Sequence, residues 1–598
     1  MPLKIRSQST QPIPGQKMGT SGLRVKVKLV ENTPNFLENF TQSVLNIILA
    51  KDSLPQAAAH EDSYLQMVIG GDGRYYNKTA IQTILRILYS NAAHLGIKIH
   101  ALIGQNGIMS TPAVSCLIRK RKAELGGLIL TASHNPGGPN NDWGIKYNAV
   151  NGGPAPEKIT DRIYEQTTSI HEYYTCDEFP QIDLSQVNAE NGKGFVDYVF
   201  SDEHFRVTVV DSVNDYFELL SSIFDMEKIR KLIGKQFGEF NLLFDAMHGV
   251  TGSYAKRILH EKLGSDLHNA LMNYTPSEDF GGGHPDPNLT YAEHLVKRVL
   301  KDEKSNIDFG AASDGDGDRN MILGKHFFVT PSDSVAIIAD YAQKCIPYFQ
   351  KKGIAGLARS MPTSTALDRV AKELGVSMYE VPTGWKYFGN LFDAGKLSIC
   401  GEESFGTGSD HIREKDGMWA VLSWLSILAY ENEQAFSQNK KVSVADIVKN
   451  HWKKYGRSYY TRYDYEEVSA DGANKMMSHM RDTYIVPFQN NQLSEEAKNL
   501  FQTLNIASCE EFSYKDPIDN SFTGKQGMIF KLVDQSRIVF RLSGTGSAGA
   551  TIRVYMEKYS SDHLDGNPLE EVKPLAHVAL TVSKLNEFTG RNEPTVIT

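Results

Sequence analysis

The chain has 598 residues, 41% of them hydrophobic and 22% charged, the balance of a folded protein long enough for several domains. Lysine plus arginine number 63 against 71 aspartate plus glutamate, a net charge of −8, which excludes an overall attraction to nucleic acid or an acidic membrane but not a local basic pocket for a small anion. The five cysteines, Cys116, Cys176, Cys345, Cys400 and Cys509, have neither metal-ligand spacing nor a disulfide framework, and they read as reduced thiols of a cytosolic protein.

The N-terminal segment carries no apolar core, so no secretory signal is expected. Gly19-Thr20-Ser21-Gly22-Leu23-Arg24 offers hydroxyls, glycines and a guanidinium on a loop. Leu128-Ile129-Leu130 then leads into Thr131-Ala132-Ser133-His134-Asn135-Pro136-Gly137-Gly138. An apolar strand followed by a polar turn marks α/β layering, where ligands gather at the carboxyl ends of strands. Ser133 on such a turn can act as a nucleophile or phosphate carrier, and His134 beside it is of a type that titrates near neutrality. Read alone, the segment is better taken as an ordinary structural turn rich in Ser, Asn, Pro and Gly. Leu242-Leu243-Phe244 repeats the pattern before Asp245-Ala246-Met247-His248-Gly249.

Asp314-Gly315-Asp316-Gly317-Asp318-Arg319 is the strongest local signal. Three carboxylates at alternate positions point the same way if the segment is extended, and glycines let them converge. Their repulsion is relieved by a hard divalent cation, for which oxygen ligands suit magnesium. The alternatives are a solvated acidic turn and a calcium loop. An EF-hand would need glutamate where Lys325 stands. Thr383-Gly384-Trp385-Lys386 joins an aromatic to a cation, Gly401-Glu402-Glu403-Ser404-Phe405-Gly406 sets acceptors and a hydroxyl in a loop, and His411 to Gly417 mixes charges around Lys415. Lys415 can transfer protons if cationic neighbours lower its pKa. Met418 to Tyr430 is the longest apolar run, too short to span a bilayer, and is predicted as a buried helix. Ser443 and Asp446 have capping-box spacing for the next helix. Ile538-Val539-Phe540 leads into Arg541-Leu542-Ser543-Gly544-Thr545-Gly546-Ser547, and Arg553 follows; backbone N–H groups, hydroxyls and guanidinium form a phosphate-binding set without the Walker lysine.

Taken together and in this order, these motifs resemble the α-D-phosphohexomutase superfamily and, within it, the eukaryotic-type phosphoglucomutase family, parafusin-like members included. The likeness runs from residue 19 to the closing Pro594-Thr595-Val596-Ile597-Thr598. It implies an α/β protein of four domains around a central cleft, three similar α/β domains with mixed sheets and a C-terminal α+β domain, drawn here at 1–211, 212–330, 331–446 and 447–598. It further implies that Ser133 is the phosphoserine and shares Mg2+ with Asp314, Asp316 and Asp318. Arg24, His134, Lys146, Arg319 and Lys415 would line the catalytic end, with His134 and Lys415 the candidates for proton transfer. Thr383, Gly384, Glu402 and Ser404 would meet the sugar, and Arg541, Ser543, Thr545 and Arg553 the non-reacting phosphate.

The implied reaction is the interconversion of glucose 1-phosphate and glucose 6-phosphate through glucose 1,6-bisphosphate. The alternatives are a phosphomannomutase or dual-specificity enzyme and a non-catalytic scaffold. A hexose phosphate is the expected partner, with no nucleic acid and no transmembrane segment, in a cytoplasmic monomer or weak dimer. Asn141, Trp143, Ser313 and Thr365 depart from the pattern, but none removes a chemical group from the site.

Overall fold

The computed structural model describes residues 3–19, 22–50, 63–185, 195–200, 203–546 and 549–598. The chain forms two compact units, one of residues 1–355 with 384–445, the other of residues 356–383 with 446–598.

The first unit is built on two mixed sheets. The larger has seven strands in the order Leu23–Lys26, Asp142–Asn148, Gly127–Leu130, Leu65–Gly71, Ile99–Gly104, Phe205–Val210, Phe195–Val199. Its four central strands run parallel, and their apolar positions are buried, as expected where helices cover both faces. The helix Thr111–Arg121 begins where the Ser110 hydroxyl accepts from the Ala113 N–H at 3.2 Å and Pro112 occupies the first turn. The second sheet has five strands, Leu271–Met272, Leu242–Asp245, Phe309–Ser313, Asn320–Gly324 and Phe327–Val329. Phe309–Ser313 lies parallel to Leu242–Asp245 and antiparallel to Asn320–Gly324, with Ser313 opposite Asn320. Residues 314 to 319, the aspartate motif, are therefore a hairpin connection at the end of a buried strand.

A second hairpin, Ile399–Gly401 with Thr407–Ser409, carries the Glu402 loop. The apolar run from Met418 is the buried helix Gly417–Phe436, capped by Asp416, whose carboxylate accepts from the Trp419 N–H at 2.9 Å. The next helix is Val444–Tyr455.

The second unit joins a parallel pair, Gly356–Ser360 with Ser377–Val381 and the intervening helix Ala366–Leu374, to an antiparallel six-stranded sheet. The sheet order is Ile506–Glu511, Met528–Leu532, Arg537–Gly546, Gly549–Ser560, Arg457–Val468, Val596–Ile597. Because side chains alternate, Ile538 and Phe540 face the core of the helices Ala470–Met480 and Pro568–Ser583, whereas Val539 and Tyr555 face the other way, onto Met361. This is the α+β arrangement expected for the C-terminal part.

All five cysteines are free and buried, and burial pushes each thiol above its ordinary value, to about 12 at Cys116, Cys345 and Cys509. Thr365, one of the sequence departures, donates through both its N–H and its hydroxyl to Glu557 Oε1, at 2.9 and 2.7 Å.

Candidate active site

Ser133 follows the strand Gly127–Leu130 on a tight turn, with a left-handed backbone (φ 54°) that non-glycine residues adopt only when their surroundings enforce it. Here the Ser133 N–H donates to the Thr131 hydroxyl at 2.7 Å, and its carbonyl accepts from Arg74 Nη2 at 3.0 Å. The buried hydroxyl donates to Asp314 Oδ2 at 3.1 Å, and His134 Nδ1 lies 3.3 Å from Ser133 Oγ. The imidazole is held well below its ordinary value by burial and then by the cations of Arg319 and Arg24, so it is neutral at pH 7.

Asp314, Asp316 and Asp318 are all buried, with one carboxylate oxygen of each within 4.8 Å of the others. The convergence comes from a compact turn rather than from extended backbone. A Cβ at Gly315 would come within 2.8 Å of the Ser133 carbonyl oxygen, and Gly317 has a φ of 82° beside Thr251 and Ser110. The Ser313 hydroxyl closes the turn by donating to the Arg319 carbonyl at 2.9 Å, and the Arg319 N–H donates to Asp314 Oδ1 at 2.9 Å.

Burial and the two neighbouring carboxylates push Asp314 well above its ordinary value. Burial works the same way on Asp316, but Lys146 and the hydrogen bonds from Asp314 and Thr111 outweigh it and hold Asp316 low. Asp316 Oδ1 and Asp318 Oδ1 have no hydrogen-bond partner among the described residues. An all-oxygen donor set with orphaned, buried acceptors fits a hard divalent cation.

Cations surround the triplet. Lys146 Nζ is 3.4 Å from Asp316 Oδ2, Lys415 Nζ is 3.2 Å from Asp318 Oδ2, and Arg319 Nη1 is 3.2 Å from Asp286. Arg24 sits on the edge strand opposite Gly144, within electrostatic reach of Arg319, Asp316 and Asp318. Lys415 differs from the sequence expectation. Burial lowers its pKa, but Asp318 and Glu402 together more than compensate, and the net shift is upward. Glu402 is buried and accepts from the Gly384 N–H at 3.1 Å, and burial raises its carboxyl. Ser404 is half-buried in the same loop, which is tied to the aspartate hairpin by the Asn320 N–H donating to the Phe405 carbonyl at 2.9 Å.

The remaining candidates lie on the second unit. The chain crosses between units at Thr383 and Gly384, and the Thr383 hydroxyl is buried without a hydrogen-bond partner among the described residues. Arg541 and Arg553 stand directly opposite each other on neighbouring strands, and Ser543 is opposite Thr551. The Nε atoms of both arginines are buried and have no hydrogen-bond partner among the described residues. The side chain of Thr545 lies outside the described residues, as do Thr20, Ser21 and Ser547.

Sequence reasoning missed Asp72 and Arg74. Their side chains are fully buried and paired at 2.8 Å. Arg74 also binds the carbonyls of Ser133, Asn135 and Asp142 and stacks over Phe280, at 5.1 Å from the ring centroid. The available signal was an acid and a base two apart at the end of the apolar strand Leu65–Gly71, with no neighbour to reveal their task. Arg74→Met leaves Asp72 an unpaired buried charge and should cost about 3–5 kcal/mol, read as a lowered midpoint of urea unfolding. An unchanged midpoint would show that the Ser133 turn stands without this clamp.

Models of known families match nearly the whole chain. Three described as phosphoglucomutase/phosphomannomutase alpha/beta/alpha domains I, II and III match residues 15–174, 214–326 and 330–455, and one described as the phosphoglucomutase-1 C-terminal domain matches 457–595. The chloroplastic phosphoglucomutase of Arabidopsis thaliana is 53% identical over 598 residues, covering 100% of this chain and 89% of the relative. The cytoplasmic phosphoglucomutase of Solanum tuberosum is 52% identical over 606 residues, covering 100% and 99%. Among solved structures, the open form of the exocytosis-sensitive phosphoprotein pp63/parafusin, a phosphoglucomutase from Paramecium, superposes with a TM-score of 0.87 at 47% identity and full coverage of both chains.

Proposed function

The chain belongs to the phosphoglucomutase/phosphomannomutase family, and from that premise we propose that it is a phosphoglucomutase, interconverting glucose 1-phosphate and glucose 6-phosphate through phosphorylated Ser133 and a glucose 1,6-bisphosphate intermediate. Relatives at 51–54% identity over the full chain are named phosphoglucomutases, which favours glucose over mannose. The observation that carries the chemistry is the Ser133 hydroxyl 3.1 Å from a buried carboxylate of the aspartate triplet.

In this reading Asp314, Asp316 and Asp318 hold Mg2+ together with the group on Ser133. When bound there, the ion supplies charge neutralisation for a phosphoryl group in transfer. The chain's own residues do the rest. Arg24, Lys146, Arg319 and Lys415 add positive charge around the transferring group. The phosphoryl group passes from Ser133 Oγ to the free hydroxyl of the hexose phosphate, and neutral His134 or the Ser133 alkoxide takes the hydroxyl proton. The second phosphoryl group then returns to Ser133, so nothing is consumed.

Glu402 and Ser404 meet the sugar hydroxyls in either orientation, and Thr383 and Gly384 contribute backbone and hydroxyl contacts. Arg541, Ser543, Thr545 and Arg553 grip the non-reacting phosphate, whose binding energy lowers the barrier at the distant reacting end. The four domains are placed at 1–211, 212–330, 331–446 and 447–598. No described helix is long and apolar enough to cross a membrane. Relatives named cytoplasmic and chloroplastic match at similar identity, and the reading taken for this chain is cytoplasmic.

The test is direct. Purified protein with Mg2+ and a trace of glucose 1,6-bisphosphate should convert glucose 1-phosphate to glucose 6-phosphate at least about tenfold faster, in kcat/KM, than it converts mannose 1-phosphate. Equal rates would replace this reading with a dual-specificity enzyme, and no turnover would remove it. Arg541→Ala should raise KM by roughly 10- to 100-fold, the loss of a charge-assisted phosphate contact, with a smaller change in kcat. An unchanged KM would take Arg541 out of the phosphate end.

A further inference from the structure

Three charged residues stand in one row across the sheet of the second unit. Antiparallel register sets Arg541 opposite Arg553, and Arg553 opposite Asp464. Side chains at paired positions share a face, so the three side chains neighbour one another. Two guanidinium groups directly opposite each other repel, and among the described residues neither buried Nε atom has a hydrogen-bond partner. The row is stable because it ends in an anion. The Asp464 carboxylate is 4% exposed and lies 3.7 Å from Arg553 Nε, while Arg462 Nε lies 2.8 Å from its other oxygen without a hydrogen-bonding geometry.

Asp464 comes nearest Arg553 at Nε, and the outer nitrogens are the edge an Arg uses for bidentate recognition of a phosphate. Asp464 is itself held from behind. The strand Val596–Ile597 pairs with Tyr463 and Asp464, the Thr595 N–H donates to the Asp464 carbonyl at 2.7 Å, and the Thr595 hydroxyl accepts from the Glu466 N–H at 3.0 Å. The segment Thr595–Thr598 thus fixes the strand that carries the anion.

We propose that Asp464 is a positioning residue for the phosphate end: it orients the Arg553 guanidinium and offsets the Arg541–Arg553 repulsion, so that both arginines present their outer nitrogens to one phosphate. This rests on the reading of Arg541 and Arg553 as phosphate ligands. Removing an anion near a phosphate would by itself tighten binding, so the proposal predicts the opposite sign from simple electrostatics.

The test is a double-mutant cycle on the full chain with glucose 1-phosphate as the varied ligand. Asp464→Asn should raise KM about tenfold with kcat changed less than about threefold, and in an Arg553→Ala background it should add no more than about twofold. A merely structural role would give additive losses in kcat and KM in both backgrounds. Additivity, an unchanged KM or a lowered KM would each overturn the proposal. Asp464→Ser, smaller and neutral, carries the same expectations if the Asn variant does not fold. Arg541→Ala run beside them separates the two levels. If it leaves KM unchanged, the phosphate-end reading falls. If it raises KM while Asp464→Asn does not, the positioning role alone falls.

Discussion

Ser133→Ala is expected to lower turnover of glucose 1-phosphate by at least about a thousandfold, about 4 kcal/mol of barrier, even with glucose 1,6-bisphosphate present. The size follows from the site's construction. Arg74 and Thr131 hold the Ser133 backbone and Asp314 its hydroxyl, and among the described residues within hydrogen-bond reach of that hydroxyl there is no second hydroxyl nucleophile. Losing the hydroxyl leaves the surrounding cations intact but gives the phosphoryl group nowhere to rest between its two transfers. The variant should still bind substrate with little change in affinity, because the remaining ligands are untouched. Initial rates with Ser133→Ala, and intact-protein mass before and after incubation with the bisphosphate, check this. Turnover near that of the unmodified chain would remove Ser133 as carrier.

Removal of divalent cations is the second large effect. Excess EDTA should reduce kcat by at least about a thousandfold, since a cation at a transferring phosphoryl group is worth several kcal/mol. The same site yields a readout that does not involve activity. Burial and its neighbours hold Asp314 above the usual carboxyl value, so in metal-free protein its contribution to stability is fully present below the unfolded-state value of about 4 and is lost as pH rises through the raised folded-state value. At neutral pH, millimolar Mg2+ should therefore raise the Tm. In Asp314→Asn the metal-free protein should be at least as stable as the unmodified chain, and the response to Mg2+ should largely disappear. Thermal unfolding with and without Mg2+ decides this, and a Tm indifferent to Mg2+ in the unmodified chain would show that the triplet holds no such ion.

Much of this was legible in the sequence because it is written in short contiguous runs. Ser133 and the three aspartates each sit in a glycine-containing segment behind an apolar strand, and both segments are turns at strand ends in the structure. What could not be read was their mutual support. Thr111 reaches Asp316 across 205 positions, and Ser133 reaches Asp314 across 181. Such pairings depend on the order of strands in the sheets, which local pattern does not encode. Lys415 shows the same limit in electrostatics. The groups that shift it, Asp318 and Glu402 upward and Arg319 and Lys146 downward, become its neighbours only on folding. Asp464 was passed over for a plainer reason. In an alternating strand of tyrosines and charges it reads as a solvent-facing acid, and its burial appears only once a further strand covers the edge.

The buried cysteines have a practical consequence. With every thiol protonated at neutral pH and shielded, the native chain presents few sites to alkylating or oxidising reagents. Four of the five belong to one compact unit and Cys509 alone to the other, so the rate at which each becomes modifiable clocks the transient opening of its own half of the molecule. The sequence thus contains, without any engineered label, two separately addressable reporters of breathing.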